Sequence, residues 1–233
     1  MSGTAAPEEI RRFDALAEHW WDPDGPMAPL HRMNPARIDW IAGRLGPLEG
    51  LSILDVGCGA GLAAEALARR GALVTGIDAA GNALAAARAH AEAEGVPVTY
   101  AETTPEALAA TGARYDAVLA LEVIEHVPPE QRPAFCAALA ALVNPGGQVV
   151  LSTLNRTRRA YVVAILGAEY VLRLLPRGTH DWKLFVTPAE LGSLLRNAGL
   201  RPAASTGLLP AACGRSFRTG PDLAVNYMMA AQA

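Results

Sequence analysis

Three glycines stand at alternate positions in Asp55-Val56-Gly57-Cys58-Gly59-Ala60-Gly61, directly after a short apolar run, and an aspartate, Asp78, follows Gly57 by 21 positions. Glycine lets a backbone turn tightly and approach a ligand closely. A helix opening behind such a loop presents unpaired N–H groups and a partial positive end to that ligand. An acid at the tip of the next strand can accept both hydroxyls of a ribose. The bland alternative is a tight turn with an aspartate ending a core strand. The strand before, the helix after and the placed acid together weigh against it. Further along lie Glu122, Glu125 and His126, two carboxylates and an imidazole at three- and four-residue spacing. In a helical turn they would be neighbours, able to take a divalent ion or to move a proton.

The spacing also discriminates between nucleotides. A dinucleotide loop places its third glycine where this chain has Leu62, whereas here it comes one position early, at Gly61. Asp55 would repel a pyrophosphate. Beside it a cationic or zwitterionic group is better placed, as in a sulfonium amino acid. S-adenosylmethionine is therefore favoured over NAD.

These residues need a scaffold, and the hydrophobic pattern supplies one. Strands are predicted at 51–56, 72–78, 98–101, 115–121 and 147–153, with helices at 60–70, 82–94 and 130–143. Strands alternating with helices at this spacing imply a parallel sheet covered on both faces. Right-handed crossovers leave few other topologies, and ligands then bind at the carboxyl ends of the strands. Ahead of the first strand, Glu8 to Trp21 reads as an amphipathic helix, and Asn34-Pro35 reads as the start of a second. Together 1–47 would form a helical cap. Asn155 to Lys183 breaks the alternation and reads as a helical insertion or lid within a single domain spanning 1–233. Thr187-Pro188-Ala189-Glu190 is a capping box opening the last long helix, and 200–206 and 222–230 read as the final strands.

Bulk properties narrow the function classes. Hydrophobic residues make up 51% and charged residues 18% of the 233, so global disorder is excluded. A net charge of -3 argues against a nucleic-acid partner. The cysteines Cys58, Cys136 and Cys213 are odd in number and lack metal spacing, which fits a reducing compartment. Met1 to Ile10 is polar and acidic, unlike a signal peptide, and no stretch is apolar over the roughly 20 residues of a spanning helix. Ala160 to Leu175 is nonetheless apolar apart from Glu169 and Arg173, and Arg156, Arg158, Arg159 and Arg177 flank it. An amphipathic segment with basic ends suits either a membrane surface, through about 156–177, or a lid packed on the domain.

The run Ile53 to Gly61, then Asp78, then Pro145-Gly146-Gly147 resembles the class I methyltransferases. That resemblance implies a Rossmann-like α/β fold with a seven-stranded, mostly parallel sheet whose last strand is antiparallel. The flanks are similar to one family of that class, the ubiquinone-biosynthesis O-methyltransferases. The shared markers are Phe13 with Trp20-Trp21-Asp22, Pro29-Leu30-His31-Arg32 with Asn34-Pro35 and Arg37, and Ser152-Thr153-Leu154-Asn155-Arg156. They continue with Gly167-Ala168-Glu169-Tyr170, Gly178-Thr179-His180-Asp181 and Val225-Asn226-Tyr227-Met228.

The resemblance implies that Arg37, Gly57, Asp78 and Leu121 contact S-adenosylmethionine. It also implies that Glu122, Glu125 and His126 are catalytic and hold Mg²⁺. Read from the residues alone, the cluster leaves open a metal-free site with His126 as general base. Arg37 could equally be a solvated helix arginine, and Leu121 a plain core leucine. The implied substrates are polyprenylated catechol and demethylubiquinol intermediates. The implied place is the bacterial cytoplasm, peripherally on the inner membrane, with other quinone-biosynthesis enzymes as further partners. Two rivals stand beside this: a methyltransferase for another small phenol or acid, and a non-catalytic scaffold that binds the cofactor. Leu209-Pro210-Ala211-Ala212-Cys213 departs from the more polar stretch usual in the family, which bears on acceptor details.

Overall fold

A computed structural model of the chain describes residues 17–162, 182–211 and 214–233. Eight strands form one sheet: β1 (Ser52–Val56), β2 (Leu73–Asp78), β3 (Val98–Glu102), β4 (Tyr115–Leu121), β5 (Val143–Leu154), β6 (Arg201–Ala211), β7 (Ser216–Gly220) and β8 (Asn226–Gln232). Their order is β3-β2-β1-β4-β5-β8-β6-β7. The first five run parallel, and β8 lies antiparallel between β5 and β6.

The expected seven strands are thus eight. The extra one, β7, pairs antiparallel with β6 at the edge of the sheet. Its sequence, Ser216-Phe217-Arg218-Thr219-Gly220, has one large apolar residue and no alternation, so periodicity does not reveal it. It exists because β6 continues to Ala211 and offers it an edge.

Among the described residues, the longer helices are α1 (Ala28–Leu45), α2 (Leu62–Ala68), α3 (Gly81–Ala93), α4 (Pro105–Ala109), α5 (Arg132–Leu142) and α6 (Pro188–Asn197). β1 shows why both faces are needed. Ile53 joins one buried cluster with Ile38, Ile41, Leu67 and Leu84, while its neighbour Leu54 joins another with Phe135, Leu139, Leu191 and Leu195. Successive strand residues point to opposite faces, so a strand apolar at both demands helices above and below.

α1 departs from expectation. It starts at Ala28, with Pro29 in its first turn and Pro35 inside it. Asn34 is not its cap: its side-chain amide donates to the Leu62 carbonyl at 2.9 Å, fastening α1 to the start of α2. The expected helix from Glu8 to Trp21 falls mostly outside the described residues, whose first element is a single 3-10 turn at Ala17–His19. The capping box at Thr187 is present, with Glu190 accepting from the Thr187 N–H at 2.8 Å.

Of the expected insertion, 163–181 lies outside the described residues, including the Gly167–Tyr170 and Gly178–Asp181 markers. Its two stems are well tied. Trp182 Nε1 donates to the Thr157 carbonyl at 3.0 Å, and Asn155 Nδ2 to the Leu223 carbonyl at 2.8 Å. Arg159 pairs with Asp222 at 2.6 Å, and Arg156 pairs with Glu190.

Gly61, with φ 89°, caps α2 in the left-handed region, and a Cβ there would come within 2.1 Å of the Tyr100 hydroxyl. That hydroxyl is buried without a hydrogen-bond partner. Gly61→Ala is expected to cost about 2 kcal/mol or more in a denaturant titration. Tyr100→Phe alone should be neutral or stabilising, and combined with Gly61→Ala it should recover part of the loss.

Candidate active site

The glycine loop bridges β1 and α2 at the carboxyl edge of the sheet. The Gly57 and Cys58 N–H groups both donate to the Ile77 carbonyl, at 2.8 and 3.1 Å, which ties the loop to β2. Asp78 ends β2. Its Oδ2 accepts from the Gly59 N–H and its Oδ1 from the Ala80 N–H, each at 2.8 Å. Each carboxylate oxygen has a second lone pair, so Asp78 can organise the loop and still accept ribose hydroxyls. Gly59, with φ 53°, lies under Trp20: a Cβ there would fall 2.3 Å from the indole. Trp21 donates Nε1–H to the Ala60 carbonyl at 3.0 Å and stacks on His90 with centroids 3.4 Å apart. The two tryptophans therefore act as a lid over the loop. Cys58 is buried, and burial pushes its thiol well up, so it offers no thiolate nucleophile.

Arg37 is no solvated helix residue. It is 3% exposed, and its Nη1 approaches Glu122 Oε1 at 3.9 Å while Nη2 donates to Asn34 Oδ1 at 3.5 Å. Burial lowers its pKa below the ordinary guanidinium value, and the carboxylates of Glu122 and Asp55 oppose that. Its Nε is buried without a partner. Asp55 is also buried, with Oδ2 unpartnered. Burial raises its pKa to about 7, Arg37 pulls against the rise and Asp78 adds to it. A buried guanidinium and a buried carboxyl with unused hydrogen-bonding atoms, next to a glycine loop, fit a ligand carrying both a carboxylate and an ammonium. Leu121, at the end of β4, is buried and belongs to the core cluster that also holds Cys58 and Tyr100.

Glu122 follows directly. With φ 59° it is the one non-glycine residue with positive φ among the described residues, a conformation that costs free energy and collects at functional sites. Its backbone N–H donates to the Ser152 carbonyl at 3.0 Å, and the Ser152 hydroxyl donates to Oε1 at 2.6 Å. The Asn226 amide donates to both carboxylate oxygens, at 3.2 and 3.0 Å. Glu125 and His126 lie on the following 3-10 turn, Ile124–His126. Glu125 is 3% exposed and accepts from the Thr153 hydroxyl at 2.8 Å. Burial and then the Glu122 charge raise its pKa, while His126 lowers it.

Glu122, Glu125 and His126, the expected magnesium ligands, lie together at the end of β4 and on the turn that follows it. Both Glu122 oxygens are turned to protein donors, and Glu125 is withdrawn into the core. No group of three His, Cys, Asp or Glu side chains among the described residues is placed to hold a metal. The triplet instead divides into an anchored carboxylate, a buried carboxyl and an imidazole beside it.

Other candidates resolve differently. His31 and Arg32 lie on α1, and His31 Nε2 bonds to the Trp20 carbonyl at 2.8 Å. His90 pairs with the buried Glu65 at 2.9 Å. His180 and Asp181 lie outside the described residues. Ser152, Thr153 and Asn226 stand in marker stretches whose sequence suggests no site role for them. The available signal is polarity out of place: adjacent hydroxyls in the buried end of β5, and an amide opening the otherwise apolar β8.

Similarity to known proteins places the chain in a family. A methyltransferase-domain family model matches residues 53–147. A magnesium protoporphyrin IX methyltransferase from Synechocystis PCC 6803, solved with S-adenosylmethionine bound, shares the fold with a TM-score of 0.64 at 22% identity, covering 99% of each chain. A ubiquinone biosynthesis O-methyltransferase from Methylobacterium nodulans is 47% identical over 100% of this chain and 98% of its own. Another, from Alkalilimnicola ehrlichii, is 50% identical over 94% of this chain and 89% of its own. With the methyltransferase fold and these full-length relatives, the chain belongs to the ubiquinone biosynthesis O-methyltransferase family.

Proposed function

We propose that the chain carries the methyl group of S-adenosylmethionine to a hydroxyl of polyprenylated catechol and demethylubiquinol intermediates at a membrane surface. The observation that carries this reading is the adjacency, along one sheet edge, of the glycine loop with Asp78 and the Glu122–His126 turn. Methyl transfer from a sulfonium is an in-line displacement, so holding two reactants in line supplies much of the acceleration. Asp78 would take the ribose, and Arg37 and Asp55 the two ends of the methionine moiety.

The acceptor must also lose a proton, and a phenol of pKa ~10 needs a base at neutral pH. His126 fills that role, on the same 3-10 turn as the buried Glu125. Proton removal by His126 does not require magnesium; were Mg²⁺ bound, Glu122, Glu125 and His126 would hold it, and it would lower the pKa of the acceptor hydroxyl. Tyr161 and Val162, 43% and 53% exposed, lead from the base of the insertion into residues 163–181. With Arg158 and Arg159 beside them they suit contact with anionic lipid. No helix among the described residues is long and apolar enough to cross a membrane. The site would lie on the cytoplasmic face of the bacterial inner membrane, in reach of other quinone-biosynthesis enzymes.

Four outcomes test this. Lipid extracts of a quinone-deficient methyltransferase mutant should lose their accumulated catechol on complementation; equal turnover of short water-soluble catechols would favour a general phenol methyltransferase instead. His126→Ala should reduce kcat by about 10²–10⁴, whereas chelator-stripped enzyme should keep its activity; a loss restored by Mg²⁺ would reinstate the metal. Anionic liposomes should float the wild type but not a deletion of 160–175.

The fourth concerns pH. With its pKa raised to about 7, Asp55 holds a proton in the folded, ligand-free protein between about pH 4 and 7 that the unfolded chain lacks. Its contribution to stability therefore falls as pH rises through that window. A ligand ammonium group beside Asp55 favours the ionised form. S-adenosylhomocysteine should then bind up to about tenfold tighter at pH 8 than at pH 6 by calorimetry, and Asp55→Asn should flatten that dependence.

A further inference from the structure

Glu122 is held in an unusual way, and its restraints come from distant parts of the chain. Its backbone sits in the left-handed region at φ 59°. Ser152 on β5 fixes its N–H and one oxygen. Asn226, 104 positions away at the start of β8, spans both carboxylate oxygens with its amide. Asn226 is 6% exposed, and its own Oδ1 is buried with no hydrogen-bond partner. An amide kept only for packing or for the sheet would turn to satisfy both ends, since a buried acceptor left unmade is costly. Here the NH₂ group is committed to Glu122 at the expense of the oxygen.

The charges around the pair make the need clear. Arg37 approaches Glu122 from α1 at 3.9 Å. Asp55 from β1 acts on Arg37, and Glu122 acts on the buried Glu125 of the turn after β4, itself next to His126. Two carboxyl groups so close repel each other when both are ionised. Two neutral donors on Glu122, Ser152 and Asn226, fix its direction without adding a competing charge.

We propose that Asn226 is a positioning residue: its amide holds the Glu122 carboxylate in place between Arg37 on the cofactor side and the Glu125–His126 turn on the acceptor side. The kinetic consequence rests on the methyltransfer reading above, but the anchoring itself does not.

Two variants separate positioning from packing. Asn226→Asp keeps the shape and replaces the donor by a like charge about 3 Å from Glu122; Asn226→Ala removes the whole group. Positioning predicts that Asn226→Asp is the more damaging at neutral pH. It should lower kcat at least about tenfold below Asn226→Ala, with the acceptor KM and the S-adenosylhomocysteine Kd each within about threefold of wild type. A packing role predicts the reverse order, and that order would overturn the proposal.

Thermal unfolding supplies an arm that needs no substrate. Asn226→Asp should melt below Asn226→Ala. Adding Glu122→Gln should reverse the order, because the glutamine amide can donate to the introduced carboxylate. An order unchanged by Glu122→Gln would remove the anchoring claim. If the wild type methylates no polyprenyl phenol, the assigned reaction fails, while the melting order still decides the role of Asn226.

Discussion

A guanidinium buried among carboxyl groups constrains the whole cofactor edge of this protein. Arg37 has left water almost completely, and Glu122 and Asp55 supply the opposing charge. Burying such a set is tolerated only when the geometry is good and the remaining donors and acceptors are satisfied or reserved for a ligand; losing one partner of a buried pair typically costs about 3–5 kcal/mol. The consequence is visible in the packing. α1 must lie where Arg37 can reach β1 and β4, and Asn34 fastens it there by its bond to the start of α2. Glu122 must bend into a conformation that other residues avoid. The atoms left unpaired, Arg37 Nε and Asp55 Oδ2, belong to the residues best suited to the two charged ends of the cofactor.

The cofactor half of the site is built from near neighbours in sequence. Loop, strand tip and following helix form one unit, so the turn from Asp55 to Gly61 and the placement of Asp78 against it are legible from residue order alone. The alternation of five strands with helices is legible for the same reason: each element carries its own periodicity. Arg37 stands outside that logic, since nothing around Asn34-Pro35-Ala36-Arg37 tells a buried arginine from a solvated one, and only the resemblance points to it.

The acceptor half obeys different rules. Glu122, Glu125 and His126 stand close together in sequence, which suggests a shared ligand. What each does is fixed by Ser152, Thr153 and Asn226, which come from strands far away in the chain. Spacing along the chain cannot show that one carboxylate is tied to two donors while its neighbour is pulled into the core. The eighth strand is hidden for a related reason: β7 has no amphipathic pattern and depends on the length of its partner. The start of α1 is hidden because two prolines offer two competing first turns, at Pro29 and Pro35.

The central place of β8 bears on how the protein comes into being. Residues 226–232 are the last strand in sequence, yet they lie inside the sheet between β5 and β6. A nascent chain that has delivered only β1 to β7 has an open edge along β5, with its N–H and C=O groups facing whatever strand arrives first, and such edges invite mispairing. The same late segment brings Asn226 to Glu122. Completion of the fold and completion of the acceptor side are therefore one event. A chain folded only as far as β7 can already hold the glycine loop against Asp78, while Glu122 acquires its Asn226 anchor only when β8 docks.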